Sequence, residues 1–281
     1  MNTNKSPLLF IQDTCRKNNI IDDEVIAANN IRLQWYTFGY VYFSECISID
    51  EDFINELKDN IKLIVRSGTK IIRMVEDETT GIHPALRQKM KEGIWHSKYF
   101  DQENLKGTPI EKHLLNANAE YMKYSDCKHM MFPQDVFIKP SGDLKEFSGG
   151  ILPKETTIKD FVMNNFHDNN IEDANVLIST NLQYIHAEAR FIVVDGKIIS
   201  GSYYKIKNKL ESVKIHESSP IFQYTQKLAD IFEPEKVYTI DVAILPGMEI
   251  KIVEYNCFNC SGLYAIDTEK VFKAIANFVS K

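Results

Sequence analysis

The sequence predicts an α/β (α+β) protein built from two parts. Strand-like and helix-like patterns alternate in its first third, and two strand-turn-strand segments occupy its second half. Its 281 residues are about twice the roughly 150 residues of an average domain, so we expect two domains. The pattern is weakest near Pro133. We therefore expect an N-terminal α/β lobe with a helical segment over residues 1–132 and a second domain over residues 133–281.

Composition and charge argue against several classes of protein. Hydrophobic residues make up 44% and charged residues 26% of the chain, as in ordinary globular proteins. The 33 basic and 39 acidic residues give a net charge of −6 without a dense basic run, which argues against a surface for duplex nucleic acid. No apolar stretch approaches the roughly 20 residues of a membrane span. We expect a cytoplasmic protein that binds neither duplex nucleic acid nor a membrane.

The five cysteines are odd in number and scattered, so we expect reduced thiols and no disulfide framework. Cys257 and Cys260 form a CxxC pair, but the sequence shows no second ligand pair of the kind that a structural zinc site needs. No histidine is placed by the sequence to activate either thiol as a nucleophile.

The N-terminal lobe is expected to alternate strands and helices. Residues 8–11 and 32–44 predict strands, and Asp50 is placed to cap a helix. Residues 62–65 and 70–75 flank a glycine turn and predict either two strands or a strand followed by a loop entering a site. The pattern from residue 83 to residue 131 is mostly helical.

Three helix starts are marked in the second domain. Thr157 and Asp160 form a capping box, Ser219-Pro220 combines a cap with a first-turn proline, and Asp267 caps the final helix. Short strands are expected over residues 136–139 and 176–179.

The first hairpin collects charge on one face. Asp195-Gly196 fits a two-residue type I′ turn. This turn predicts the following pairs: Arg190 with Gly201, Glu188 with Tyr203, and Lys205 one pair further along the same face. A merely solvated face of an antiparallel sheet is an equally good interpretation of this hairpin alone.

The second hairpin predicts a metal site. A turn centred on Pro246-Gly247 places Asp241 opposite Ile252, with Glu254 as its diagonal neighbour and Asn256 further along the same face. Two carboxylates and an amide oxygen suit Mg²⁺. The alternative is that the two acids pair with nearby lysines. A register shift of one residue would move Asp241 to the other face and remove the argument.

A glycine-containing loop lies upstream. Lys139 ends a strand and precedes residues 141–150, where glycines permit close approach to phosphates and lysines neutralise them. The loop lacks the Walker A pattern, and such loops are often only turns.

The series of motifs resembles the ATP-grasp superfamily, and within it a clade of small single-chain proteins of phages and bacteria. The motifs are, in order, FIKP (137–140), DLKEFSGG (143–150), VLIS (176–179), EARFIVVDGK (188–197), Asp241 and EYN…SGLY (254–264). The resemblance implies an ATP-grasp fold with an N-terminal pre-ATP-grasp lobe and a two-lobed nucleotide-binding region. It also implies ATP and Mg²⁺ as cofactors.

The resemblance assigns a role to each matching residue. It implies that ATP is held by Lys139, Lys145, Gly149, Ile178, Ser179 and Glu188, with the hinge strand at Ile178 and Ser179 receiving the adenine. It implies that Mg²⁺ is bound by Asp241, Glu254 and Asn256, and that Arg190 and Lys205 line the cleft as catalytic residues. Two departures stand out: the hinge has no acidic residue for the nucleoside, and Cys257-Phe258-Asn259-Cys260 replaces the common Pro-Gly.

The implied activity is ATP-dependent carboxylate–amine ligation through an acyl-phosphate, with release of ADP and phosphate. The substrates would be small-molecule or peptide carboxylates and amines, and a homodimer is compatible with the resemblance. Two alternatives stay open. One is a non-catalytic ATP-binding regulatory module on the same fold, and the other is a phosphotransferase that stops at phosphorylation.

Overall fold

The computed structural model describes most of the chain. The described residues are 7–12, 23–41, 46–48, 51–56, 61–142, 146–165 and 171–281. They form three sheets joined by helices and short 3₁₀ turns. None of the described helices is long and apolar enough to cross a membrane.

The first sheet forms the N-terminal lobe. Its strands are β1 (Leu8–Gln12), β2 (Gln34–Val41), β3 (Cys46–Ser48) and β4 (Leu63–Arg66), in the order β3-β2-β1-β4. The central strand β1 is parallel to β2 and β4. Its apolar run Leu8 to Ile11 is buried, as expected for a strand covered on both faces.

Four helices accompany this sheet: α1 (Asp23–Asn30), α2 (Glu51–Glu56), α3 (Thr69–Glu76) and α4 (Pro84–Glu92). The predicted alternative of a second strand over residues 70–75 is therefore wrong. A short apolar run cannot distinguish a strand from a buried helix by its periodicity. Here Ile71, Ile72 and Val75 are buried on the helix, and Ile71 and Val75 belong to the core beside the sheet.

A connector of short turns, residues 93–119, follows α4. It contains 3₁₀ turns at Lys98–Phe100, Gln102–Leu105 and Glu111–His113. The mostly helical prediction is wrong for this part of the chain. Leu105, Ile110 and Leu114 are instead buried against the third sheet, so tertiary packing overrides the local spacing.

The second sheet has four antiparallel strands in the order β5-β8-β6-β7. They are β5 (Glu120–Lys123), β6 (Val136–Pro140), β7 (Gly150–Leu152) and β8 (Asn175–Ser179), with helices α5 (Tyr124–Cys127) and α6 (Ile158–Asn164). The predicted capping box is confirmed, since the Thr157 hydroxyl accepts from the Asp160 amide at 3.0 Å. The predicted domain boundary at residue 132 stays a prediction, although β5 joins this sheet from before it.

The third sheet has the order β11-β10-β9-β12-β13. Its strands are β9 (Ala187–Val194), β10 (Lys197–Ile206), β11 (Lys209–Ile215), β12 (Val237–Ile244) and β13 (Ile250–Cys257), and its helices are α7 (Pro220–Ile231) and α8 (Thr268–Val279). Both helices begin where predicted, and the Asp267 side chain caps α8 by accepting from the Lys270 amide at 3.0 Å.

The two faces of the third sheet pack against different parts of the protein. Helix α7 covers one face, where Phe191 and Ile240 lie in the core. On the other face, Ile192 and Val237 pack near α8 and the N-terminal lobe. Period-two alternation continues that second face towards Arg190 and Asp241, so one end of it is apolar and the other is charged.

Candidate functional site

The second hairpin places Asp241 directly opposite Glu254. The predicted register, in which Asp241 faces Ile252, is wrong because of two one-residue differences. The loop between the strands is Pro246–Met248, one residue longer than a two-residue turn, and a β-bulge at Val253 adds a second residue. Either difference alone would place Glu254 on the face of the sheet opposite to Asp241. The two differences together return Glu254 to the face of Asp241.

The first hairpin also departs from its predicted register. Asp195 and Gly196 form the expected turn with φ of 48° and 73°. Two bulges along β10 then shift the pairs, so that Arg190 lies opposite Ser202 instead of Gly201, and Glu188 lies opposite Lys205 instead of Tyr203. The second bulge contains Tyr204, whose hydroxyl donates to Glu188 at 2.8 Å.

Three ion pairs lie along this face of the sheet. Arg190 makes a bidentate pair with Asp241, with Nε–Oδ1 and Nη2–Oδ2 distances of 2.8 and 2.7 Å. Lys205 donates to Glu188 at 2.8 Å. Lys139, which reaches across from the second sheet, donates to Glu254. Each of these three cations is therefore matched by one carboxylate. Glu254 pairs with a lysine, as the alternative interpretation of the second hairpin predicted, whereas Asp241 pairs with an arginine.

Arg190 is the most enclosed of the three cations, with a side chain 5% exposed. Its Nη1 donates to the Gly262 carbonyl at 3.2 Å, and the rings of Tyr204 and Tyr264 lie 5.9 and 5.4 Å from its Cζ. Burial lowers the pKa of the guanidinium, but the charge of Asp241 and its hydrogen bonds raise it more, so Arg190 stays charged.

Tyr204 is a neutral donor in this site. Burial, and after it the negative charges of Asp241 and Glu188, raise the pKa of Tyr204 well above 10. Its ring stacks on that of Tyr264, with centroids 5.1 Å apart. Tyr264 holds a left-handed backbone conformation with φ of 53°, which is uncommon outside glycine. The two rings form an aromatic wall beside Arg190.

Asn256 completes a set of oxygen-rich side chains. Its Nδ2 lies 3.4 Å from Asp241 Oδ2 and 3.2 Å from Glu254 Oε1, so the amide sits between the two carboxylates. Rotation of the amide by half a turn would present its carbonyl oxygen instead. Two carboxylates and one amide oxygen are hard donors of the kind that Mg²⁺ takes, so these residues fit that ion. Among the described residues, no cluster of three His, Cys, Asp or Glu side chains offers an alternative site.

A cavity of about 210 Å³ lies between the end of β6 and strand β13. Its lining comes from both sheets and from the connector: Phe100, Lys139, Pro140, Ser141, Gly142, Phe147, Ser148, Gly149, Glu254 and Asn256. Gly149 is required by close approach, because a Cβ there would lie 2.5 Å from the Cβ of Lys139. Lys145 lies outside the described residues.

The predicted hinge residues lie at the end of β8, and both are buried. Ile178 pairs with Glu120 of β5 and with Ile138 of β6, and Ser179 pairs with Phe137. Neither residue is among those that line the cavity beside Lys139. Their adenine-binding role stays a prediction.

Two residues that hold the segment after β13 carried little or no sequence signal. Arg66, at the end of β4, pairs with Glu24 at 2.8 Å and also donates to the carbonyls of Phe258 and Ser261. The motif Arg66-Ser67-Gly68 marked this position, but nothing local indicated its partners. The N-terminal lobe is therefore hydrogen-bonded to the chain just beyond Asn256.

Asn259 makes the reciprocal contacts from within that segment. Its Nδ2 donates to the carbonyls of Val65 and Gly93 at 2.7 and 2.8 Å, and its Oδ1 accepts from the Trp95 amide at 2.8 Å. Asn259 is completely buried, so these bonds replace the water that its amide would otherwise bind. They give Asn259 a structural role in the segment that departs from the common Pro-Gly.

Solved structures that are similar to this chain include two ligases and a synthetase. D-alanine–D-alanine ligase from Bacillus anthracis complexed with ATP has a TM-score of 0.51 at 12% identity, over 98% of this chain and 97% of that chain. D-cycloserine synthetase DcsG has a TM-score of 0.52 at 9% identity, over 97% of this chain and 99% of that chain. ATP-grasp ligase PsnB, complexed with minimal precursor, Mg and ADP, has a TM-score of 0.48 at 11% identity, over 100% of this chain and 99% of that chain.

At such low identities the two scores above 0.5 show the fold alone. The predicted two-lobed ATP-grasp architecture is confirmed by this fold together with a match to a family model. No curated protein matches the chain. A family model does match: that of an ATP-grasp domain, the second family of its clade, over residues 118–274. This match covers more than half of the 281 residues. The chain belongs to this family of ATP-grasp domains.

Proposed function

We propose that this protein is an ATP- and Mg²⁺-dependent carboxylate–amine ligase that works through an acyl-phosphate. One observation carries the proposal: Asp241 and Glu254 lie opposite each other, and each is paired with a cation at the junction of two sheets. Removing several charges from water is costly even when they are paired, so a cluster of buried ion pairs indicates a functional site. A phosphate-transferring site needs this combination of carboxylates, lysine and arginine.

The nucleotide would lie between the two sheets. Lys139 and the loop with Lys145 and Gly149 are proposed to hold its phosphates, with Ile178 and Ser179 at the adenine. Lys139 exchanges its carboxylate partner for a phosphate in this arrangement. Gly149 has no side chain, which lets the loop approach Lys139 closely enough to exclude water.

Asp241, Glu254 and Asn256 would hold the metal. When bound, Mg²⁺ supplies charge neutralisation for the phosphates. Arg190 fixes the orientation of the Asp241 carboxylate through two hydrogen bonds. Because Arg190 stays charged, it also contributes positive potential where the transferred phosphoryl group would sit.

The reaction balances without a covalent enzyme intermediate. An oxygen of the substrate carboxylate forms a bond to the γ-phosphorus while the bond from that phosphorus to ADP breaks. The amine lone pair then forms the C–N bond, the C–O bond to phosphate breaks, and the amine loses a proton. Lys205 and Tyr204 both donate to Glu188, and Tyr204 does so as a neutral hydroxyl. Lys205 is proposed to line the cleft and orient the substrates, and Glu188 is proposed to lie beside ATP.

The acid and the amine would be small molecules or peptides, and a homodimer stays a prediction. So does a cytoplasmic location, where ATP is available and thiols stay reduced. Cys127, Cys257 and Cys260 form no disulfide with another described residue. Cys257 is buried and donates to Asn259 Oδ1 at 3.3 Å, an arrangement typical of a packing role.

A product screen tests the proposal. The protein is incubated with ATP and Mg²⁺ against a panel of amino acids, peptides and other acids and amines, and ADP release and product mass are measured. A ligase sustains ADP release over many turnovers only when both an acid and an amine are present, and the product mass equals the sum of their masses minus that of water. ATP binding without ADP release across the panel would favour a regulatory module, and a stable phosphorylated product would favour a phosphotransferase.

A further inference from the structure

The β-bulge at Val253 decides which way Glu254 points. Before the bulge, Val242 pairs with Ile252, so an unbroken ladder would next pair Asp241 with Val253. Glu254 would then lie opposite Ile240, on the face that forms the hydrophobic core under α7. The extra residue is therefore the local feature that brings Glu254 and Asn256 onto the face of Asp241.

A bulge leaves main-chain groups without their hydrogen-bond partners in the sheet, so these groups need hydrogen-bond partners from elsewhere in the protein. At Val253 the partner comes from the connector: the side-chain Nε2 of Gln102 donates to the Val253 carbonyl. Gln102 is only 3% exposed. The preceding carbonyl, that of Ile252, accepts from the Leu115 amide at 2.7 Å. The connector thus binds the outer edge of β13 both at the bulge and beside it.

The main chain of Gln102 reaches the other half of the site. Its amide donates to the carbonyl of Ser141 at 3.1 Å, two residues beyond Lys139. Ser141 is also held by its own amide, which donates to the Asn175 carbonyl of β8 at 2.7 Å. One buried residue therefore connects the strand that carries Glu254 with the strand that carries Lys139.

We propose that Gln102 is a positioning residue for the metal and phosphate groups of this site. Its side chain holds the bulge that orients Glu254, and its main chain holds the end of β6. Gln102 lies before residue 118, where the match to the family model begins, so this contribution comes from outside the matched domain. The inference rests on the proposed function, because it requires Glu254 to bind metal.

The test uses Mn²⁺ as a spectroscopic probe for the metal. Mn²⁺ binding to the full chain is measured by electron paramagnetic resonance with a non-hydrolysable ATP analogue present. Gln102→Met keeps the length of the side chain but removes the donor, and we expect Mn²⁺ binding to weaken about 10- to 100-fold, as for other groups that orient metal ligands. Asn104→Ala is the matched control. It removes an exposed amide of the same connector, which donates to Lys98, and should not change Mn²⁺ binding.

A second variant separates positioning from general destabilisation. Gln102→Asn keeps the amide one methylene short, so its Mn²⁺ affinity should fall between those of the wild type and Gln102→Met. Thermal unfolding is followed for all three variants. Unchanged Mn²⁺ affinity in Gln102→Met would overturn the inference, as would losses that follow the melting temperature alone. If the wild type binds no Mn²⁺ with the analogue, the proposed function itself fails.

Discussion

The guanidinium of Arg190 and the carboxylate of Asp241 form a bidentate ion pair on neighbouring strands, and both side chains are at most 5% exposed. Breaking such a buried pair by removing one partner typically costs about 3–5 kcal/mol, because the remaining charge is left buried. Each of the two side chains therefore depends on the other for its burial.

This pair predicts strong non-additivity. Arg190→Ala and Asp241→Ala should each lower the free energy of unfolding by about 3–5 kcal/mol, whereas the double variant should lose much less than their sum. Urea unfolding of the four proteins measures the coupling. In those variants that stay folded, ADP release should fall more than nucleotide affinity, because Arg190 is proposed to act on the transferred phosphoryl group. Additive losses would show that the two side chains do not depend on each other.

Gly149 predicts a steric effect on nucleotide binding. The Cβ in Gly149→Ala would lie 2.5 Å from the Cβ of Lys139, so the loop must move. A displacement that costs about 1.4 kcal/mol would weaken ATP binding about tenfold, which isothermal titration calorimetry can measure. Gly68→Ala is the control, because its nearest contact is 3.6 Å away and in the N-terminal lobe. Equal affinity in the wild type and both variants would contradict the role of the loop.

The buried tyrosines predict instability at alkaline pH. Burial raises the pKa of Tyr255 and of Tyr204 well above 10, and it raises the pKa of Tyr121 to about 12. Above pH 10 the unfolded chain loses these protons while the native state keeps them. The unfolded state then binds fewer protons, so the free energy of unfolding falls as the pH rises.

Tyr255→Phe tests this directly. Among the described residues, the Tyr255 hydroxyl has no hydrogen-bond partner, so its removal should be tolerated near neutral pH. Urea unfolding at pH 8 and pH 11 should show a smaller loss of stability in the variant than in the wild type. The same loss in both proteins would mean that Tyr255 does not contribute.

We predict that the hydrogen bonds of Asn259 couple the stability of the N-terminal lobe to that of the segment after β13. Asn259→Ala removes three hydrogen bonds to main-chain groups. The Gly93 carbonyl keeps the Val65 amide at 3.4 Å, whereas the Val65 carbonyl and the Trp95 amide lose the Asn259 side chain, at a cost of about 1–3 kcal/mol for each of these two groups. The loss should appear in urea unfolding. Asn30→Ala removes an exposed amide and should change stability by less than about 0.5 kcal/mol. A loss as small as in this control would rule out the coupling.

The sequence predicts the local features of the fold better than the long-range ones. The turn at Asp195 and Gly196 and the cap at Thr157 depend on neighbouring residues and are correct. In the first hairpin the predicted strand pairs are wrong beyond the first bulge. In the second hairpin they are wrong from the turn onwards, because the loop is one residue longer than predicted. Asp241 and Glu254 nevertheless share a face, since the two register errors in their hairpin cancel.

The supporting residues of the site could not be predicted in the same way. Gln102 and Asn259 act through hydrogen bonds to residues more than 150 positions away, and no local pattern marks such partners. The carboxylates are recognisable because burying charge in a strand is costly and therefore conspicuous. A buried amide in a loop carries no such signal.

Glu254 is proposed to bind the metal on which ATP turnover depends. The most direct test of this proposal is the Mg²⁺ dependence of ADP release in the wild type, in Glu254→Gln and in the control Glu249→Gln, an exposed acid just before β13 begins. We expect Mg²⁺-dependent release in the wild type and the control, and none in Glu254→Gln, with all three proteins folded. Mg²⁺-dependent ADP release by Glu254→Gln at the wild-type rate would show that turnover does not depend on a metal bound by Glu254.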